Sequence, residues 1–423
     1  MKRVVVTGMG IWSCIGQDLQ TAIESLQQGR SGIVFDPKRI EYGIQSGLVG
    51  NVPRPDLKPL LSRKLRTTMS EDSEYAYMAA RQAFEHAHIR KDYLLQNEVG
   101  ILWGNDSGTS TVVAAMNAMN QYHDSFMIGP SCLFQGGASS VVMNLSTIFH
   151  LHGCGITTAA GCASSSHAIG MASILIQTGK QDMILVGGSS ELHPLMAATF
   201  DATNILSLRN DAPNHAMRPY DTERDGTVFS GGAAALVLEE YEHAVARGAT
   251  ILAEVCGYGF SSNGIEEISM PSADAEYIAM KRALDDAGLQ PSDIDYVNAH
   301  ATSTIAGDIE EAKALTRLFE EQGVSSPLPF REGSGLGSNR PFISSTKSMT
   351  GHENWMAGAS EAVYSILMMQ NGFVAPNINL EHKIDEAKDL NIVTETIYTP
   401  INTVLSNSLG MGGTNCALVF RKI

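Results

Sequence analysis

Three observations predict an α/β fold built from a duplicated unit. Short apolar, β-branched runs alternate with stretches of helical period along the 423 residues. Forty glycines stand against fifteen prolines, and only 7% of residues are aromatic, which suits segments that approach one another closely. Two short motifs also recur in matching places. Gly231-Gly232 before Ala235-Leu236-Val237-Leu238 is echoed by Gly412-Gly413 before Ala417-Leu418-Val419-Phe420. Ser173-Ile174-Leu175, closing at Gly179, is echoed by Ser365-Ile366-Leu367, ending near Gly372. The echoes predict two halves, 1–250 and 251–423, that share one core with no linker between them.

Composition narrows the function classes. A chain that is 43% hydrophobic and 17% charged has ample material for a large core. Its net charge of −16 argues against nucleic acid as a partner. The six cysteines are dispersed without a C-x-x-C pair, which fits a reducing compartment and offers no zinc or other metal site. The N-terminus enters a strand directly, and no apolar run approaches the ~18 residues of a membrane span. A soluble, cytoplasmic protein is expected.

Val4 to Val6 reads as a strand, with Gly8-Met9-Gly10 turning it into a helix over Asp18 to Gln28. The lone G-x-G invites a dinucleotide reading, but a third glycine is misplaced and no ribose-binding acid follows. Pro53 to Pro59 reads as a surface loop, followed by the basic cluster Arg63-Lys64-Leu65-Arg66, a helix over Glu71 to His88 and a strand over Val99 to Trp103. From Ile101 to Gly179 there is neither lysine nor arginine, as expected of buried interior or a subunit interface.

Inside that span, Gly155-Ile156-Thr157-Thr158 suits a strand and Ala168 to Gln177 a helix, which places Cys162 at a strand-to-helix corner. The unpaired N–H groups and partial positive charge of the helix start favour a thiolate there. A buried structural cysteine is the competing reading. Strands over 182–188 and 234–238 flank a polar, loop-rich region from Asn204 to Asp225.

In the second half, a strand over Ile294 to Val297 delivers Asn298-Ala299-His300-Ala301-Thr302-Ser303-Thr304, and Gly307-Asp308 opens an acidic helix over Glu310 to Glu321. Pro341 to Ser345 leads to Thr346-Lys347-Ser348-Met349-Thr350-Gly351-His352. Each histidine lies just past a strand end, the usual place for functional side chains in α/β folds. The Gly-rich stretch Asn407 to Asn415 can bring backbone N–H groups close to a ligand. Taken alone, Lys347 reads as a cation at a helix start, and Thr302 and Thr304 as turn caps. His167 lies about 500° around a helix from Cys162 and reads as structural. His150, His152 and His215 have no assigned partners. One cysteine with two histidines fits a Cys/His hydrolase or a reaction through an enolate that needs hydrogen-bond donors, and the spacing leaves both open.

Together these stretches resemble the β-ketoacyl-acyl carrier protein synthases, the condensing enzymes of fatty-acid synthesis. The likeness runs from Val6-Thr7-Gly8-Met9-Gly10 through Gly161-Cys162-Ala163-Ser164-Ser165 and His300-Ala301-Thr302-Ser303-Thr304 to Gly412-Gly413-Thr414-Asn415. The segments 347–352 and 391–396 look nearest the type I elongating synthase. The resemblance implies a thiolase-like fold, two βαβαβαββ halves packed as a five-layer α-β-α-β-α sandwich, and a decarboxylative Claisen condensation without a cofactor. By this likeness Cys162 would be the nucleophile, and His300 and His352 would stabilise the malonyl-derived enolate. Lys347, with Glu361 as its acidic partner, would support the histidines. The N–H groups of Cys162 and Met411 would form the oxyanion hole, Thr302 and Thr304 would bind the pantetheine arm, and Arg63 and Lys64 would dock acyl carrier protein. The family also implies a homodimer. A ketosynthase of a specialised polyene or polyketide pathway is the near alternative. Chain-length factors, the non-catalytic partners, lack the cysteine retained here, and thiolases use a second cysteine where this chain has His352.

The chain departs from the family in four places. Glu353-Asn354-Trp355-Met356 replaces a small-residue stretch, which is expected to reshape the floor near the site. Leu409 and Met411 stand where phenylalanines are common, which is expected to alter acyl-chain selection. Arg66 is one place out of register, and basic docking residues between about Asn117 and Met127 are absent.

Overall fold

The computed structural model describes residues 1–106, 108–320 and 340–423. Ten strands form one sheet: β1 Val4–Trp12, β2 Gly100–Gly104, β3 Gly155–Thr158, β4 Met183–Ser190, β5 Gly232–Glu240, β6 Ala253–Ser262, β7 Tyr296–Asn298, β8 Phe342–Ser344, β9 Thr403–Gly410 and β10 Thr414–Arg421. Their order across the sheet is β8-β7-β9-β10-β6-β1-β5-β4-β2-β3. Read outward from the middle, both groups of five follow the same course: first, fifth, fourth, second and third strand of the group. The groups meet where β1 pairs antiparallel with β6 at Val5↔Glu254 and Val6↔Ala253.

The same repetition governs packing. Helix α1 (Glu71–His86) lies on β1, β5 and β4, while α4 (Ala273–Ala287) lies on β6 and β10 and packs against α5 (Ile305–Glu320). Between the two strand groups run α3 (Ser164–Gln177) and α6 (Ala357–Asn371), touching strands of both. The result is five layers, α-β-α-β-α, as the sequence resemblance implies. α6, buried along almost its whole length, carries only Glu361 as a charged residue, and α3 carries no Asp, Glu, Lys or Arg although Met171 and Ile174 on it are exposed.

Gly8 and Gly10 correct the expected turn: both lie inside β1. A Cβ on Gly8 would meet the Ala83 carbonyl oxygen at 2.2 Å, and one on Gly10 the Ala79 oxygen at 2.1 Å. Gly257 and Gly259 of β6 stand in the same relation to Ala283 and Ala279 of α4, at 2.2 and 2.1 Å. Glycine therefore serves close helix-on-strand contact here, and the strand continues to Trp12.

Smaller differences follow the same lines. The acidic helix starts at Ile305 instead of Gly307, and its expected end, Glu321, lies outside the described residues. The span without lysine or arginine divides in two: β2 is buried, but no residue of α2 (Thr109–Tyr122) is. No helix among the described residues is long and apolar enough to cross a membrane.

Candidate active site

Cys162 sits between β3 and α3 on a turn fixed by its neighbours. Gly161 adopts φ +54°, the left-handed region where a side chain is strained. The Ser164 hydroxyl donates to the Gly161 carbonyl at 2.6 Å and accepts the Ala160 N–H at 2.9 Å. Thr414 Oγ1 donates to the Ala160 carbonyl at 2.8 Å, which ties the Gly-rich β9–β10 turn to the cysteine turn.

His300 leaves the end of β7 on a loop held by one carboxylate. Glu311, from α5, accepts the N–H groups of His300 and Ala301 at 2.8 and 2.7 Å, the Tyr220 hydroxyl at 3.0 Å and the Asn407 amide at 3.2 Å. Asp308, one turn earlier, accepts the N–H of Ser303, whose φ is +68°, and the N–H of Tyr220. Neither acid is among the site residues expected from sequence. The signal available was their spacing of three at the start of the helix that follows the histidine loop, which aims both back at that loop's N–H groups.

His352 follows Gly351, whose φ is +71°. Its N–H donates to the Val228 carbonyl at 2.7 Å and its carbonyl accepts the Ser230 N–H at 2.8 Å, so the loop is stitched into the 228–230 segment. The Phe229 ring meets the imidazole edge-on, with centroids 6.2 Å apart.

These loops converge. His352 Nε2 lies 2.9 Å from Cys162 Sγ, and the His300 and His352 rings are perpendicular with centroids 5.3 Å apart. One ring nitrogen of each histidine and the sulfur all lie within 4.8 Å of one another. Behind them the ammonium of Lys347 hydrogen-bonds to Glu361, both fully enclosed. A cavity of about 350 Å³ opens in front, lined by Cys162, both histidines, Thr302, Thr304 and Met411. The two threonine hydroxyls are 3.0 Å apart, and Met411, 55% exposed, stands at the mouth.

Electrostatics correct one expectation. Cys162 faces the cavity but is otherwise enclosed by protein, and that burial pushes its thiol up to about 11, against the pull of the Met411 N–H and Lys347. Desolvation outweighs these attractions, so the resting group is a thiol. Burial and then Lys347 hold both imidazoles well below their ordinary range, so they are neutral. Burial lifts the Glu361 carboxyl to about 7, against the attraction of Lys347.

Of the remaining expected residues, Asn354 and Trp355 line the cavity, as does Leu409. Glu353 does not. It turns into the core, where it accepts from Ser360 and lies 3.1 Å from the Tyr364 hydroxyl, so the reshaped floor comes from its two successors. Arg63 and Lys64 are exposed on the short helix Arg63–Arg66, away from the cavity lining.

Residues 1–244 match the family described as beta-ketoacyl synthase, N-terminal domain, and 252–381 its C-terminal domain. The chain belongs to the beta-ketoacyl synthase family. This synthase is 41% identical to the 3-oxoacyl-[acyl-carrier-protein] synthase 1 of Escherichia coli K12 over 426 residues, covering all of both chains. It superposes on a beta-ketoacyl synthase from Burkholderia phymatum STM815 with a TM-score of 0.92 at 35% identity, again over 100% of both. A type II PKS acyl-carrier protein in complex with its ketosynthase contains a chain matched at TM-score 0.84 and 28% identity, over 100% of this synthase and 99% of that chain.

Proposed function

We propose that this synthase elongates fatty acyl chains by condensing an acyl group held on Cys162 with malonyl-acyl carrier protein. The observation that carries the reading is the 2.9 Å contact between His352 Nε2 and the Cys162 thiol, beside a second neutral histidine and a buried lysine. Cys162 attacks the thioester carbonyl of acyl-carrier protein. Its proton passes to His352 Nε2 and on to the departing pantetheine sulfur, so the enzyme returns to neutrality as the acyl-Cys162 thioester forms.

Malonyl-carrier protein then binds with its thioester oxygen between His300 and His352. No protein group among the described residues meets Nδ1 of either histidine, so neither ring is fixed in one tautomer and Nε2–H is available as a donor. Loss of carbon dioxide leaves an enolate, which these donors and the Lys347 charge stabilise. Its carbon attacks the acyl-Cys162 carbonyl, and the N–H groups of Cys162 and Met411 receive the oxyanion. Collapse releases the 3-oxoacyl-carrier protein, and the Cys162 thiolate takes one proton from solvent. Thr302 and Thr304 hydrogen-bond the pantetheine arm along the cavity. Residues 1–250 thus supply the nucleophile and residues 251–423 the histidines and Lys347, one contribution from each repeat.

Arg63 and Lys64 dock the acidic carrier, and their exposure permits it. Steady-state assays test reaction and docking together. The wild type should release carbon dioxide and 3-oxoacyl-carrier protein, and Arg63→Glu with Lys64→Glu should raise KM for carrier substrates about tenfold with kcat retained. An unchanged KM ends the docking proposal, and absence of product from the wild type ends the reading.

A second copy of the chain covers the span without lysine or arginine. The edge strand β3 leaves Ile156 exposed, and nearby helices present Met116, Phe126 (91% exposed) and Leu133 (78%), too much apolar surface to stay in water. Light scattering at micromolar concentration should give about twice 45.4 kDa. A monomer there would leave that surface without an explanation. All six cysteines are unpaired, consistent with a reducing cytoplasm.

A further inference from the structure

Glu353 is a buried carboxyl that the mechanism above does not use, placed directly after His352 and 1% exposed. Three elements face it. From α6 the Ser360 hydroxyl donates at 2.5 Å and the Tyr364 hydroxyl lies at 3.1 Å, with Glu361 one residue beyond Ser360. From the 347–350 turn comes the charge of Lys347, and from the end of β1 come Ser13 and the thiol of Cys14. Lys347 is the one cation among these groups, and it is already paired with Glu361. An ionised Glu353 would therefore be a second buried carboxylate with no counter-charge of its own.

The hydroxyl protons also favour the neutral acid. Tyr364 Oη lies 3.0 Å from Ser13 Oγ as well as 3.1 Å from Glu353, and Ser13 Oγ lies 3.3 Å from the Gly16 carbonyl. A tyrosine has one proton to give. If Glu353 donates to Tyr364, Tyr364 donates to Ser13 and Ser13 to Gly16, and all three contacts are kept. If Glu353 is a carboxylate, Tyr364 turns to it and one link of the chain to β1 is lost.

We propose that Glu353 is a positioning residue that must carry its proton for condensation. Neutral, it ties the His352 loop through Tyr364 and Ser13 to the end of β1. Ionised, it opposes the Lys347 charge that the enolate needs at His300 and His352. The proposal rests on the roles given to those three residues. Burial, ahead of the neighbouring Glu361, lifts the Glu353 carboxyl to about 8, which places the transition within reach of an activity profile.

The test is kcat with saturating carrier substrates from about pH 6 to about pH 10, for wild type, Glu353→Gln and Tyr364→Phe. The wild type should lose about tenfold per unit on the alkaline side above about 8. Glu353→Gln should lose less than about twofold over the same range whatever its level at neutrality. Tyr364→Phe, which cuts the link from the acid to Ser13, should lower kcat several-fold on the neutral plateau. A Glu353→Gln profile with the wild-type limb, or a wild-type plateau in Tyr364→Phe, overturns the proposal.

Thermal unfolding reads the same proton without substrate. The folded state keeps a proton that the unfolded chain releases near 4.5, so wild-type stability should fall as pH rises from there to about 8 and then level. Glu353→Gln should flatten that fall by several degrees. An unflattened curve overturns the proposal even if the condensation reading itself fails.

Discussion

Lys347→Met should unfold more easily than the wild type by about 3–5 kcal/mol and lose at least about a hundredfold in condensation rate, because it breaks a buried pair and removes the cation that stands behind the histidines. The two effects have separate origins. Stability suffers because Glu361, fully enclosed, loses its partner and must take up a proton or stay charged in a poor solvent. Its carboxyl already lies near 7, so neutralisation limits the loss. The rate suffers because the enolate loses a fixed positive charge held in a buried place behind both histidines. Lys347→Met combined with Glu361→Gln separates them: urea unfolding should show most of the stability recovered, while single-turnover condensation stays slow. A single Lys347→Met variant as stable and fast as wild type would remove the lysine from the mechanism.

Much of the fold was legible because its signals are local. The β-branched run before Cys162 and the apolar helix after it fix the corner, and His300 falls just past a strand end as its flanking residues predict, whereas His352 comes after the short helix Lys347–Thr350 that follows β8. The failures share a cause, since each depends on something distant in sequence. Gly8 and Gly10 read as a turn until Ala79 and Ala83 are laid against them. The charge state of Cys162 follows from burial by loops that arrive far later in the chain, at His300, His352 and Met411, which no reading of its helix start contains. Glu311 and Asp308 pass as surface acids of an amphipathic helix, although they hold the His300 loop and the turn at Ser303. Glu353 reads as a charge on the pocket floor, and the structure turns it inward to Tyr364.

Cys162→Ala should abolish turnover, with a loss of at least about a thousandfold, since without the sulfur no acyl-enzyme forms and the remaining groups have nothing to act on. The variant should fold normally, because the turn around it is held by Ser164 and Thr414 and not by the thiol. His300 and His352 remain in place in this variant, so slow release of carbon dioxide from malonyl-carrier protein can continue without product.

The most direct measurement is the intact mass of the protein after incubation with a ladder of acyl-carrier proteins, followed by addition of malonyl-carrier protein. The wild type should gain the mass of one acyl group on the peptide containing Cys162 and lose it on malonyl addition as a 3-oxoacyl-carrier two carbons longer appears, while Cys162→Ala gains nothing. An acyl group on another residue, or an unmodified wild type that still forms product, would contradict the central role of Cys162.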